Sequence, residues 1–130
     1  MRKFILILSL LLITALAVTG CQDAVTQDDM VIELAPIHDV QISIAESYPE
    51  QIFVHIEGGL ADSCTELHDI VVEPDDTTIN ITVTTERPRD AVCAEVYRIF
   101  EESVNLGSDF DSGVTYSVDV NGYLASFVYP

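Results

Sequence analysis

Apolar and polar residues alternate along most of this chain. Val40, Ile42 and Ile44 alternate with Gln41, Ser43 and Ala45, and Ile52, Val54 and Ile56 alternate with Phe53, His55 and Glu57. The cleanest run is Ile79, Ile81 and Val83 against Asn80, Thr82 and Thr84. A period of two sends successive side chains to opposite faces, so each run predicts a strand with one buried face. Residues 67–73 supply a partner for 78–85 through Pro74-Asp75-Asp76-Thr77, whose residue types favour turns. Residues 114–120 and 123–129 flank Asn121-Gly122, a strong hairpin signal because both positions tolerate positive φ. One segment breaks the pattern. Asp90 is a candidate cap, and Val92, Val96 and Ile99 follow at spacings of four and three, which predicts one or two helical turns over 90–97. Phe100, Val104 and Leu106 then resume the alternation. About seven short strands separated by turn signals predict an all-β, antiparallel sandwich, with a barrel as the alternative.

The N-terminal segment is of another kind. Arg2 and Lys3 precede an apolar run from Phe4 to Val18, broken only by Ser9 and Thr14, and Val18-Thr19-Gly20-Cys21 closes it. The run is short for a spanning helix and ends in small residues, as the apolar region of an export signal does. The four closing residues resemble the lipobox of bacterial lipoproteins. That resemblance implies a signal-peptide helix over 1–20 and diacylation of Cys21 as the first mature residue. Localisation follows: a cell-membrane protein, lipid-anchored and facing outside the cytoplasm. An uncleaved anchor and cleavage without lipid are the alternatives. Residues 21–29 then form the lipidated cysteine and a polar tether, whose eight residues after Cys21 reach about 26–29 Å when extended. The sandwich domain is expected over 30–130.

Two further resemblances concern the domain. Gly113, Tyr116, Val118 and Val120, followed by Asn121-Gly122, are similar to a run common in bacterial immunoglobulin-like and fibronectin-like domains. The likeness implies an immunoglobulin-like sandwich in which the Tyr116 hydroxyl bonds back to the preceding connection. The chain has no tryptophan to complete an antibody-type core. More loosely, residues 59–66 with Cys93 resemble small secreted lipoprotein domains of unassigned function, which implies architecture only.

Charge narrows the partners. The formal net charge is −17, and without residues 1–20 it becomes −19, with three arginines, no lysine and 22 acidic residues. Such a surface repels nucleic-acid phosphates and anionic lipid heads, and it favours cations, basic partners or simple solubility. Arg87-Pro88-Arg89 is the one basic feature, so Arg87 and Arg89 are candidate partner-binding residues; pairing with nearby carboxylates is the structural alternative.

With Cys21 assigned to lipid, Cys64 and Cys93 remain as an even pair in an oxidising location, which predicts a disulfide. Closing a loop of about 30 residues is worth about 3–4 kcal/mol in the chain-entropy model. His38, His55 and His68 are scattered and show no zinc-ligand spacing. Calcium is the better metal candidate, because Asp109-Phe110-Asp111-Ser112-Gly113 offers two carboxylates, Asp109 and Asp111, in a Gly-containing connection. The EF-hand pattern fails there: the glycine comes one position early and Val120 stands where the bidentate glutamate belongs. Glu73, Asp75 and Asp76 form a second acidic turn. No nucleophile–base constellation and no phosphate-cradling loop is present, so the chain is not expected to be an enzyme. The expectation is a non-catalytic interaction module binding a protein or glycan at the cell surface. A calcium-binding structural domain and a passive acidic envelope component are the alternatives.

Overall fold

The computed structural model describes residues 29–130. The signal peptide expected over 1–20, Cys21 and the tether up to residue 28 lie outside the described residues. Eight strands follow one another: β1 (Met30–Leu34), β2 (Ile37–Ala45), β3 (Gln51–Leu60), β4 (Glu66–Asp75), β5 (Thr78–Pro88), β6 (Arg98–Gly107), β7 (Thr115–Val120) and β8 (Tyr123–Val128). They form two packed sheets. One holds β2, β3 and β6; the other holds β4, β5, β1, β7 and β8.

The alternating runs of β3, β5 and β7 face the core as expected, whereas on β2 Val40 is buried but Ile44 is exposed. Ile52, Val54 and Ile56 of β3 are buried, as are Ile79, Ile81 and Val83 of β5 and Val118 and Val120 of β7. These residues belong to one continuous cluster, the main source of hydrophobic stabilisation. The hairpin expected between 67–73 and 78–85 is present, with Val72 opposite Ile81 and a two-residue turn at Asp76-Thr77. Asn121 (φ 50°) and Gly122 (φ 90°) turn the β7–β8 hairpin.

Three expectations are corrected. There are eight strands rather than about seven, because β1 carries no readable alternation: Ile32 and Leu34 are both exposed. The segment 90–97 contains no helical turn. Its backbone groups bond elsewhere: Ser63 N–H donates to the Ala94 carbonyl (3.0 Å), and Ala94 N–H donates to Ser63 Oγ (2.9 Å). The sheets are also not wholly antiparallel, since β5 and β7 pair in parallel over Thr78–Ile81 and Ser117–Val120.

That parallel pair has a structural cause. β5 is 11 residues long, and β4 covers one flank from Thr78 to Glu86. The other flank is shared, with β7 beside its first half and β1 beside its second. Asn121 fills the junction. Its carboxamide accepts a bond from Val83 N–H (3.0 Å) and donates to the carbonyls of Val83 (2.8 Å) and Ala35 (2.9 Å). It thereby satisfies the β5 edge as a strand residue would.

Elsewhere Tyr116 Oη accepts a bond from Asp111 N–H (3.0 Å), the corner contact expected of that tyrosine. Phe110 lies edge-on to Tyr116 and Phe127, with centroids at 4.9 and 5.3 Å. On β6, Glu102 sits opposite the buried Ile56 yet is exposed. An inward-register charge of this kind discourages edge-to-edge aggregation.

Replacing Asn121 with alanine should remove three hydrogen bonds and strain the positive φ. The expected loss is about 2–4 kcal/mol, read as a lower urea midpoint. Asn121→Gly relieves the strain and should lose only the hydrogen-bond part.

Candidate functional site

The cysteines meet at one end of the sandwich. Cys64 and Cys93 form a disulfide with Cα atoms 5.7 Å apart, tying the β3–β4 connection to the β5–β6 connection. Asp62 organises this corner. Its Oδ1 accepts bonds from Cys64 N–H (3.0 Å), Thr65 N–H (2.9 Å) and Thr65 Oγ1 (2.8 Å). Its Oδ2 pairs with Arg87 Nη2 at 3.3 Å. The Thr65 hydroxyl bond foremost, then the Cys64 amide and the Arg87 charge, hold the Asp62 carboxyl below its usual value against the cost of burial. Arg98 pairs with Glu66 at 3.0 Å and also donates to the Thr65 carbonyl.

Arg87 is therefore half-buried and paired with Asp62, with Nη2 also 3.5 Å from Cys93 Sγ. Arg89 is exposed. Asp62, Cys64 and Cys93 are the group of potential metal ligands that converges among the described residues. Both sulfurs are committed to the disulfide, so neither can act as a thiolate.

The calcium candidate looks different in three dimensions. Asp109 and Asp111 are exposed on either side of Phe110, whose ring is inserted among Tyr116, Phe127 and Tyr129. The loop is shaped by that ring and by the Asp111–Tyr116 bond. Among the described residues no third His, Cys, Asp or Glu gathers with the two carboxylates.

The structure creates a site that no sequence motif marks. The outer face of the β2–β3–β6 sheet holds an open cleft of about 360 Å³, whose lining includes Asp39, Gln41, His55, Glu57, Glu101 and Ser103. Register explains the grouping. Asp39 lies opposite Glu57, and Glu57 lies opposite Glu101, so three carboxylates form one row across three strands. The next row is Gln41, His55 and Ser103. Like charges placed directly opposite one another weaken strand pairing.

Neighbours fix parts of the cleft wall. Asp39 accepts bonds from the Gln41 amide (2.8 Å) and the Tyr123 hydroxyl (3.2 Å), chiefly the former lowering its pKa. The same contact raises Tyr123, first through the hydrogen bond to Asp39 and then through its charge. His55 Nε2 lies 2.8 Å from Ser43 Oγ. His38 is bonded to Tyr97, and His68 pairs with Glu86 at 3.0 Å, so the three histidines stay apart.

Residues 54–129 match the family model of the ORF11 beta-sandwich domain. The chain belongs to this family. The span holds both bridged cysteines, Asp62, Tyr116 and Asn121, while the β2 wall of the cleft precedes it. The chain is 39% identical over 85 residues to an uncharacterized 10.2 kDa protein in the HgiCIIM 5′ region of Herpetosiphon aurantiacus, covering 65% of this chain and 89% of that one. It is 36% identical over 75 residues to the corresponding 10.2 kDa protein of the HgiBIM 5′ region in the same organism, covering 58% of this chain and 90% of that one. No solved structure matches significantly.

The lowered Asp62 carboxyl has a consequence for acid stability. Above its usual value of 3.8 the group is ionised in both states, and its full contribution to folding is present. As pH falls through the folded value, the native carboxylate takes up its proton and that contribution is lost. Asp62→Asn keeps an oxygen acceptor but cannot titrate. Urea midpoints of the wild type should therefore fall more steeply below about pH 4 than those of the variant.

Proposed function

We propose that this chain is a lipid-anchored extracytoplasmic protein whose sandwich serves as a non-catalytic interaction module at the cell surface. The lipobox-like ending at Cys21 supports the anchor. The Cys64–Cys93 bridge supports an oxidising compartment, because disulfides persist outside the cytoplasm. The immunoglobulin-like character of the sandwich is supported by the Tyr116–Asp111 bond, with the parallel β5–β7 pair as its departure.

The cleft on the β2–β3–β6 face carries the binding reading. It is open, polar and lined by three strands, so its shape is held by the sheet rather than by a mobile loop. Its Gln41, His55 and Ser103 side chains can direct hydrogen bonds, and its carboxylates call for a donor-rich ligand. Charge complementarity selects a protein segment bearing lysine or arginine over a neutral glycan.

Two measurements test these readings. Cys21→Ser should abolish the lipid mass and the membrane partitioning of the full chain; a variant that stays acylated overturns the anchor. Separately, the full chain should bind a lysine- and arginine-rich peptide by calorimetry, with Glu57→Gln/Glu101→Gln weakening that binding at least about tenfold. Asp75→Asn/Asp76→Asn, remote from the cleft, should not. Equal losses in both double variants would reduce the effect to net charge, and preferential binding of a neutral oligosaccharide would make the ligand a glycan.

A further inference from the structure

We infer that the connection between β5 and β6 is a membrane-docking surface that seats the domain on the lipid layer holding its own anchor. The inference rests on the proposed acylation of Cys21. It begins from where the chain enters the fold. The Asp29 carbonyl accepts a bond from Arg89 N–H at 2.7 Å, and Met30 pairs with Pro88, so the tether joins the domain beside this connection.

Geometry then decides which end meets the lipid. The eight residues from Gln22 to Asp29 can span at most about 26–29 Å. β5 alone, at 11 residues, runs about 36 Å away from that point. The end carrying residues 89–97 is therefore held nearest the surface, and the far end approaches it only if the domain turns over.

The side chains at this end suit the boundary. Val92 is completely exposed, at 103% of its reference area, and Val96, Tyr97 and Ile99 are each about half exposed. An aliphatic residue left fully in water on a loop gains by entering the acyl boundary. The adjacent Cys93 is bridged to Cys64, and Ala94 is clasped to Ser63 through two hydrogen bonds. The loop is thus already ordered, so docking costs little conformational entropy. Tyr97 is half exposed, but its hydroxyl is held by His38, so it adds only apolar ring area at this end. Arg89 places an exposed cation beside the apolar tip, where lipid phosphates would lie. Asp90 and Glu95 flank the same tip and disfavour strongly anionic layers. Tethering raises the effective concentration of the tip at the surface into the millimolar range, so weak insertion suffices.

The chain contains no tryptophan, so one introduced tryptophan reports alone. Full-length acylated protein is placed in phosphatidylcholine vesicles, with and without brominated acyl chains, as Val92→Trp and as Tyr48→Trp. Tyr48 is also completely exposed but lies in the β2–β3 connection at the opposite end. Val92→Trp should shift to the blue and lose most of its emission to bromine, whereas Tyr48→Trp should do neither. If the protein floats with the vesicles, carries lipid on Cys21 and leaves Val92→Trp unquenched, docking is overturned while anchoring stands. Equal quenching at both positions also overturns docking, because the probe itself would be seeking lipid. A chain that neither floats nor carries acyl mass removes the anchor and this inference together.

Discussion

A long strand needs hydrogen-bond partners along both flanks, and β5 meets that demand in an unusual way. β4 pairs along one side from Thr78 to Glu86, but β7 and β1 divide the other between them and run in opposite senses. Ala35 N–H reaches the Val83 carbonyl, but two strand ends meeting on one flank would leave the Val83 N–H and the Ala35 carbonyl unmatched inside the sheet. The Asn121 carboxamide supplies a donor pair and an acceptor at that point. Unsatisfied backbone groups in a partly buried sheet cost more than a hydrogen bond returns, so the assembly of five strands depends on this side chain. The same residue also turns the β7–β8 hairpin through its positive φ. Hairpin geometry and sheet closure are thereby coupled at a single position.

The opposite constraint acts at the Cys64–Cys93 corner, where little regular structure exists to hold the chain. Asp62 caps the β3–β4 connection, Arg87 reaches it from β5, and the disulfide ties in the segment before β6. Charge here works inward. Two of the three arginines that follow residue 20 are half-buried and paired with carboxylates, which leaves an acidic exterior with Arg89 exposed near the chain's entry point. The carboxylate row of Asp39, Glu57 and Glu101 stands on the outer face of the three-stranded sheet. The domain thus offers two surfaces of different chemistry: an acidic sheet face, and an apolar tip beside the tether.

Much of the fold was legible along the chain. The inward residues of β3, β5 and β7 follow from alternation because each strand buries one face and wets the other. The Asn-Gly turn and the cysteine pair were readable for equally local reasons, a backbone preference and an even count. Legibility failed where burial was not alternating. β1 exposes Ile32 and Leu34 and so has no signature. The helix-like spacing of Val92, Val96 and Ile99 was misleading because all three are solvent-facing and the backbone is claimed by Ser63. At the Asp109–Asp111 loop the chain showed the two carboxylates but not that Phe110 between them packs against Tyr116 and Phe127.

The candidate cleft marks the boundary between the two kinds of information. The chain by itself determined that residues such as His55 and Glu57 sit on strands and point away from the core, since a period of two is a property of consecutive residues. It also determined the hairpin turn, the acidic charge and the cysteines available for bridging. Which residues stand side by side was decided only by tertiary structure. Asp39, Glu57 and Glu101 come from segments far apart in sequence, and their meeting depends on strand order and register. The dual use of Asn121 and the parallel β5–β7 pair were decided in the same way. Each follows from the need to satisfy backbone groups between strands, and that need arises only once the sheets have formed.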